Sequence, residues 1–266
     1  MRFSLVVPLE SNHPKVRIRS YEQIEQIALA LEIYGWNTIW LQYDSNQDPS
    51  QQHILLRSLQ LLSNVTDRID LAAIVYMPSP EQQNRFLEDL KRLDEMSSGR
   101  VRIAIRPADH LEASLQFASK VSAVLELDHT AWRARRVQLI AEAEADPVNH
   151  MGQARGFGRF ISQNTDSNQP ILPHYSQTDH QWRSQCLALE LDDRHLSQHI
   201  EQVSLHQNFS LVDEAICQFQ NFPSDNDALI SYIQHVAQSV LPLLQQHRLI
   251  PNVERSQLIF ENILAS

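Results

Sequence analysis

Glycine is scarce: the chain has five in 266 residues, roughly 2% where ordinary usage is about 7%. A dinucleotide fingerprint needs a cluster of glycines behind a strand, and a phosphate-cradling loop needs a glycine pair followed by Lys. Gly35 and Gly99 stand alone, while Gly152, Gly156 and Gly158 follow no apolar run. Neither nucleotide loop is present. Cysteine is scarcer still. Cys186 and Cys217 are too few for a disulfide framework, and no C-x-x-C or zinc-type spacing occurs.

Positive charge is also in deficit, with 22 Lys+Arg against 32 Asp+Glu and a formal charge of −10. That balance excludes bulk binding to nucleic acid or to an anionic membrane, because both need a positive field. The densest basic stretch, Arg133, Arg135 and Arg136, reads as a solvated helix face. No apolar run approaches the ~18 residues of a membrane span. The opening run FSLVVP lacks the length and cleavage pattern of a signal peptide. A soluble, cytoplasmic protein is expected. No G-x-S-x-G elbow supports a hydrolase. His195 and His199 share zinc-like i, i+4 spacing, but without H-E-x-x-H or an obvious third ligand they read as coincidence among twelve histidines.

What is present is alternation. Phe3 to Pro8, Thr38 to Leu41, Leu71 to Tyr76 and Val101 to Ile105 read as short buried strands. Between them, residues 20–34, 50–63 and 80–96 read as helices. The first carries Ile24, Ile27, Ala28 and Leu31 on one face and is closed by Gly35. The third begins at Pro80, in a first turn where a missing N–H costs nothing. Such βα repetition predicts right-handed crossovers and a parallel sheet, in a barrel or an open doubly wound form.

The later half is less periodic. Residues 111–119 and 130–145 read as helices and 146–169 as a polar stretch, with MGQARGFGR at 151–159 a flexible loop. Ile171 and Leu172 suggest a fifth strand, helices follow near 179–188 and 193–205, and a short strand is expected at 208–212. A helix over 225–247 carries Ile230, Ile233, Val236, Ala237, Val240 and Leu244, and a last one is expected near 253–264. The count is about six strands, where a full (β/α)₈ barrel has eight.

ALALEIYGWNTIWL (28–41), IDLAAIVY (69–76) and FLEDLKRLDEMSSGRVRIAI (86–105) resemble the bacterial luciferase-like family of flavin-dependent monooxygenases. LDEMSSGRVR at 93–102 is the most specific segment; LELDHTAWR and the terminal DALISYIQHVAQSVLPLL (227–244) add to it. The resemblance covers about two thirds of the chain. It implies an α/β fold, a TIM (β/α)₈-type barrel incomplete or remodelled in its later half. A single domain over 1–266 is expected, with 146–210 divergent and 225–247 the terminal barrel helix.

The resemblance also implies a barrel mouth that holds reduced FMN, or the deazaflavin F420, and uses oxygen on a small organic substrate. A flavin reductase would supply the cofactor, and association as a homodimer or heterodimer is expected. Site residues should lie just past the C-terminal ends of strands. After the second strand Tyr43 and Asp44 fall where the family carries acid–base groups, and the common histidine is absent. Asp44 reads either as a proton-transfer group or as a solvated loop residue. Ala72 and Ala73 match a pair that in luciferases carries a cis peptide beneath the flavin ring, with Tyr76 and Met77 just beyond.

Strand alternation puts Arg102, Ala104 and Arg106 on one face and Ile103 and Ile105 on the other. Arg106 reads as a ligand for the flavin phosphate or as an internal partner of Asp44 or Asp109. Ser176 and Thr178 match the family's phosphate-binding hydroxyls, or else cap a helix near 179. Two functions fit. One is a luciferase-like flavin oxidoreductase; the other is a degenerate relative acting as a non-catalytic subunit or flavin-binding partner, with or without cofactor.

Overall fold

The computed structural model describes residues 2–9, 19–43, 52–106, 111–126, 135–142, 158–162, 183–189, 213–219 and 225–242. Eight parallel strands close into a barrel in chain order. They are β1 (Arg2–Pro8), β2 (Thr38–Gln42), β3 (Asp70–Tyr76), β4 (Val101–Arg106), β5 (Val137–Glu142), β6 (Gly158–Ser162), β7 (Arg183–Leu189) and β8 (Glu214–Phe219). β8 pairs with β1 from Arg2↔Glu214 to Leu5↔Cys217, which closes the ring. Helices α1 (Tyr21–Ile33), α2 (Gln52–Ser63), α3 (Pro80–Met96) and α4 (Leu111–Val124) separate the early strands, and α5 (Asn226–His235) follows β8.

The first half forms as its pattern predicts. Ser20 and Gln23 make a reciprocal capping box that starts α1, and Gly35 ends it at φ +79°. Pro80 opens α3 in its first turn. Strand alternation sorts side chains into two cores. Leu5, Val7, Ile39, Leu41, Leu71, Ala73, Val75, Ile103 and Ile105 face outward and pack under the helices. Val6, Trp40, Ala72, Ile74, Ala104, Ile140 and Ile216 fill the barrel interior. Trp40 is the one large ring among them, fully buried and laid beside two alanines.

The later half corrects four expectations. Residues 137–142 lie in a strand inside the segment read as a helix over 130–145, and 183–189 form a strand where a helix near 179–188 was expected. The polar stretch contains β6, so Gly158 and Arg159 of the supposed loop begin a strand. The barrel thus has eight strands rather than six. Short apolar runs such as VQLIAE and CLAL carry no period that separates a strand from a buried helix. The strand at 208–212, the pair Ile171 and Leu172, and the helices at 193–205 and 253–264 fall outside the described residues.

After β8 the chain returns to the first helix. Asn226 donates to Gln26 at 2.5 Å, and the Tyr34 hydroxyl donates to Gln234 at 3.0 Å. The buried stripe runs Leu229, Ile233, Val236, then Leu241. Ile230 is only partly buried, so Leu229 takes the inward place expected for it. The skip from 236 to 241 comes from a π-helical stretch, Val236–Val240, in which the Leu241 N–H donates to the Val236 carbonyl. Pro242 follows and offers no N–H to the preceding turn. No helix among the described residues is long and apolar enough to cross a membrane.

Candidate functional site

In a parallel barrel the two ends differ, and chemistry belongs to the C-terminal mouth. At that mouth β3 and β4 place Tyr76 directly beside Arg106. The Arg106 guanidinium carbon lies 5.0 Å from the Tyr76 ring centroid, and Nη1 donates to the tyrosine hydroxyl at 2.7 Å. The Arg106 Nε–H is buried and has no hydrogen-bond partner among the described residues. A buried donor left unsatisfied costs about 1–3 kcal/mol, so a ligand anion would relieve a real deficit. This orphaned N–H is the feature of the mouth that fits a phosphate or carboxylate.

The other expected residues divide by which way the pleat turns them. Ala72 faces the barrel interior, whereas Ala73 packs into the outer core beneath the helices. Their peptide is trans: no cis bond occurs among the described residues. Both alanines therefore sit in ordinary extended strand geometry. Tyr43 and Met77 pack against the outer core as well, so neither shares the inward face of Tyr76 and Arg106. Successive residues of a strand alternate faces, and each of these follows an inward neighbour. Asp44, Asp109, Ser176 and Thr178 lie outside the described residues, as do His195 and His199. Among the described residues no group of His, Cys, Asp or Glu is placed to hold a metal.

The opposite end holds what the sequence reading missed. Arg102 is 1% exposed and Glu214 is fully buried. Arg102 grips both carboxylate oxygens of Glu214, with Nη1 at 2.6 Å from Oε1 and Nη2 at 2.5 Å from Oε2. The Ser4 hydroxyl donates to the same carboxylate. Arg102 also donates to Thr38 Oγ1 at 2.8 Å and to the Arg135 carbonyl at 3.1 Å. Asp70 joins the network by pairing with Arg2 at 2.7 Å and Arg135 at 2.6 Å. Above it the Arg102 guanidinium lies 5.1 Å from the Trp40 ring centroid. Trp40 thus separates this polar floor from the mouth.

Arg135 and Arg136 are not the solvated helix face expected of them. Arg136 is 7% exposed, donates to the Val101 carbonyl at 2.7 Å and pairs with Asp94. The signal available was Arg102 itself. An arginine that alternates onto the face of Ala104 must point into the barrel, where only a partnered charge is tolerated.

The specific segment at 93–102 also serves the floor. Gly99 turns the chain at φ +78° after Ser98 at φ +53°. Arg100 then reaches under the strands to the Thr66 carbonyl at 2.8 Å, the Ile69 carbonyl at 2.9 Å and the Thr66 hydroxyl at 3.0 Å. Glu32 ties the same turn from the other side, accepting backbone N–H groups of Asp67, Arg68 and Ile69. Burial alone would raise the Glu32 carboxyl, but these bonds and the Arg68 charge hold it below its ordinary value.

No protein-family model matches the chain, and no curated protein matches it either. Solved structures do share the fold. Monooxygenase RslO1 from Streptomyces bottropensis is 12% identical with a TM-score of 0.51, covering 91% of this chain and 99% of that one. The coenzyme F420-dependent tetrahydromethanopterin reductase from Methanopyrus kandleri is 11% identical with a TM-score of 0.50, covering 91% and 98%. Ribulose-1,5-bisphosphate carboxylase/oxygenase from Pyrococcus horikoshii is 14% identical with a TM-score of 0.53, covering 100% and 66%. At such identities the likeness is one of fold. The chain is an α/β barrel protein of the TIM type, a shape shared by enzymes of different chemistry.

Proposed function

We infer that the protein is a luciferase-like flavin-dependent oxidoreductase or monooxygenase whose barrel mouth takes reduced FMN or F420. The observation that carries this reading is the Arg106–Tyr76 pair with its buried, unpartnered Nε–H at the C-terminal end of β3 and β4. The motif resemblance over 28–41, 69–76 and 86–105 supports it, as do the whole-chain fold likenesses to a monooxygenase and an F420-dependent reductase. Arg106 would hold the cofactor's anionic group through its guanidinium fork, and Tyr76 would fix the orientation of that fork. Ala72 is inward and small, and lies beside Trp40 in the barrel interior. Asp44 remains the proposed proton-transfer group, with Ser176 and Thr178 as further cofactor contacts, whereas Tyr43 and Ala73, turned to the outer core, are set aside.

A bound reduced flavin would supply the electrons, while the protein contributes orientation and exclusion of water. Reduced cofactor would come from a partner reductase, and the protein would act on a small organic molecule in the cytoplasm as a homodimer or heterodimer. A second reading is a degenerate subunit without turnover. It is favoured by the contrast between a floor of several buried ion pairs and a mouth whose described polar contacts centre on one arginine–tyrosine pair.

Titration of the purified chain with FMN and with F420, followed by quenching of cofactor fluorescence, tests the reading. Saturable binding that Arg106→Ala weakens about tenfold is expected, the value of one charge-assisted contact. Absence of binding by both cofactors at saturating concentration would sink it. Binding without oxidation of a reductase-supplied reduced flavin, with substrate candidates present, would favour the degenerate subunit.

A further inference from the structure

The inward face of β2 carries a further polar side chain at the mouth. Thr38 bonds the buried Arg102, and Trp40 lies in the interior core, so alternation turns Gln42 inward as well. Gln42 is the last residue of β2, half-buried and on the mouth side of the Trp40 ring. Its backbone is fixed on both sides. It stands opposite Pro8 of β1 and Ile74 of β3, and its carbonyl accepts the Leu9 N–H at 2.7 Å.

The surroundings leave the carboxamide of Gln42 to a ligand. Ile74 lies in the interior core, and Pro8 follows the inward Val6 by the same alternation. Neither side chain has a donor or an acceptor, and among the described residues nothing bonds the Gln42 carboxamide. A carboxamide offers both N–H donors and a carbonyl acceptor. A ligand that covers it without matching both leaves a polar group unpaired. Arg106 stands two strands away and one inward step nearer the rim, since Ala104 pairs with Ile74 and Arg106 with Tyr76. Neighbouring strands lie about 4.8 Å apart, and a two-residue step rises about 6.6 Å. The two side chains therefore suit the two ends of an elongated ligand.

FMN and F420 share one feature that answers this arrangement. Each carries a pyrimidinedione ring whose edge sets an N–H between two carbonyls, and each carries a phosphate on a chain leading away from the ring system. We propose that Gln42 is a cofactor-binding residue whose carboxamide takes the pyrimidinedione edge. Its oxygen accepts the ring N–H and its nitrogen donates to a carbonyl beside it, while Arg106 takes the anionic tail nearer the rim. The inference rests on the flavin reading and adds an orientation to it, with the ring edge toward β2 and the phosphate toward β3 and β4. It also gives a basis for selectivity, because a ring lacking the N–H leaves the Gln42 oxygen covered and unpaired.

Fluorescence titration of the full chain with FMN and with 3-methyl-FMN, whose ring N–H is replaced by a methyl group, tests the pairing on the unaltered protein. The methylated cofactor should bind about tenfold more weakly. Gln42→Leu should weaken FMN and F420 by about the same factor and bring FMN and 3-methyl-FMN to equal affinity. Its Tm should change little, because the backbone bond from Leu9 remains. Arg106→Ala should weaken FMN and 3-methyl-FMN alike and preserve their ratio. Equal binding of the two by the natural chain, a ratio that survives Gln42→Leu, or full F420 affinity in that variant overturns the assignment of Gln42 and leaves the flavin reading standing. Binding of neither FMN nor F420 overturns both.

Discussion

The two ends of this barrel are built on opposite plans. At the floor, Arg102 and Glu214 are sealed from water and satisfied by Ser4, Thr38, Asp70 and the Arg135 carbonyl. At the mouth, among the described residues, Arg106 has one polar partner, Tyr76, and retains a buried donor with none. Trp40 stands between the two. At the floor the paired Arg102 and Glu214 hold strands in register, and Trp40 closes them off from the mouth. An under-satisfied arginine stabilises little and is free to bind. The contrast separates stability from function along a single axis of the molecule.

The largest effect should follow from breaking the floor. Glu214→Gln leaves the buried Arg102 guanidinium without its bidentate counter-charge and with only Asp70, 3.9 Å away, in its place, and loss of a buried partner typically costs about 3–5 kcal/mol. Urea unfolding should show it as a lowered midpoint with an unchanged slope. Replacing both partners by apolar residues, Arg102→Met with Glu214→Met, should recover much of that loss. A double variant no more stable than the single one would show that the pair does more than neutralise itself. Next in size is Arg100→Ala. It frees the carbonyls of Ser63, Thr66 and Ile69 that Arg100 now caps, at about 2 kcal/mol.

A smaller effect is set by pH. The Glu32 carboxyl is held below its ordinary value of 4.5, with burial opposing and the backbone N–H groups of Arg68, Asp67 and Ile69 prevailing. A carboxyl whose folded pKa is depressed contributes stability above its unfolded pKa. That contribution is lost as pH falls through the folded one. Acid titration of the unfolding midpoint should therefore show a decline beginning near pH 4.5 and continuing below it. Glu32→Gln should flatten that decline and lower the plateau above it. An unchanged acid limb in the variant would assign the decline to other carboxylates.

How much of this was legible follows the same axis. β1 to β4 are apolar runs bounded by capped helices, and alternation within β4 correctly put Arg102, Ala104 and Arg106 inward. β5 to β8 escaped because runs of five to seven residues carry no helical or strand period of their own, and the last was expected at 208–212 and not over Glu214–Phe219. They are strands because neighbouring strands supply their hydrogen bonds, which is a tertiary cause. The floor escaped for a related reason. Arg102 and Glu214 are 112 residues apart, and no local spacing links them. The short basic stretch at 133–136 looked solvated because Asp70 and Asp94 approach it only once the barrel closes.

The smallest stability effect is expected at the mouth, and there it is the informative one. Arg106 and Tyr76 are half-buried and meet across adjacent strands. Their combined ring and hydroxyl contact is worth about 1 kcal/mol or less to the fold. Arg106→Ala should thus leave Tm nearly unchanged while weakening anion binding, the inverse of Glu214→Gln. Tyr76→Phe sharpens the comparison, because it keeps the ring beneath the guanidinium and removes only the acceptor for Nη1. With the hydroxyl gone, the fork loses its fixed orientation but keeps its charge. Affinity for FMN or F420 should fall less than in Arg106→Ala, and the loss should appear mainly in the dissociation rate. A large fall in Tm for either variant would place Arg106 with the floor arginines, as a structural residue that happens to lie at the mouth.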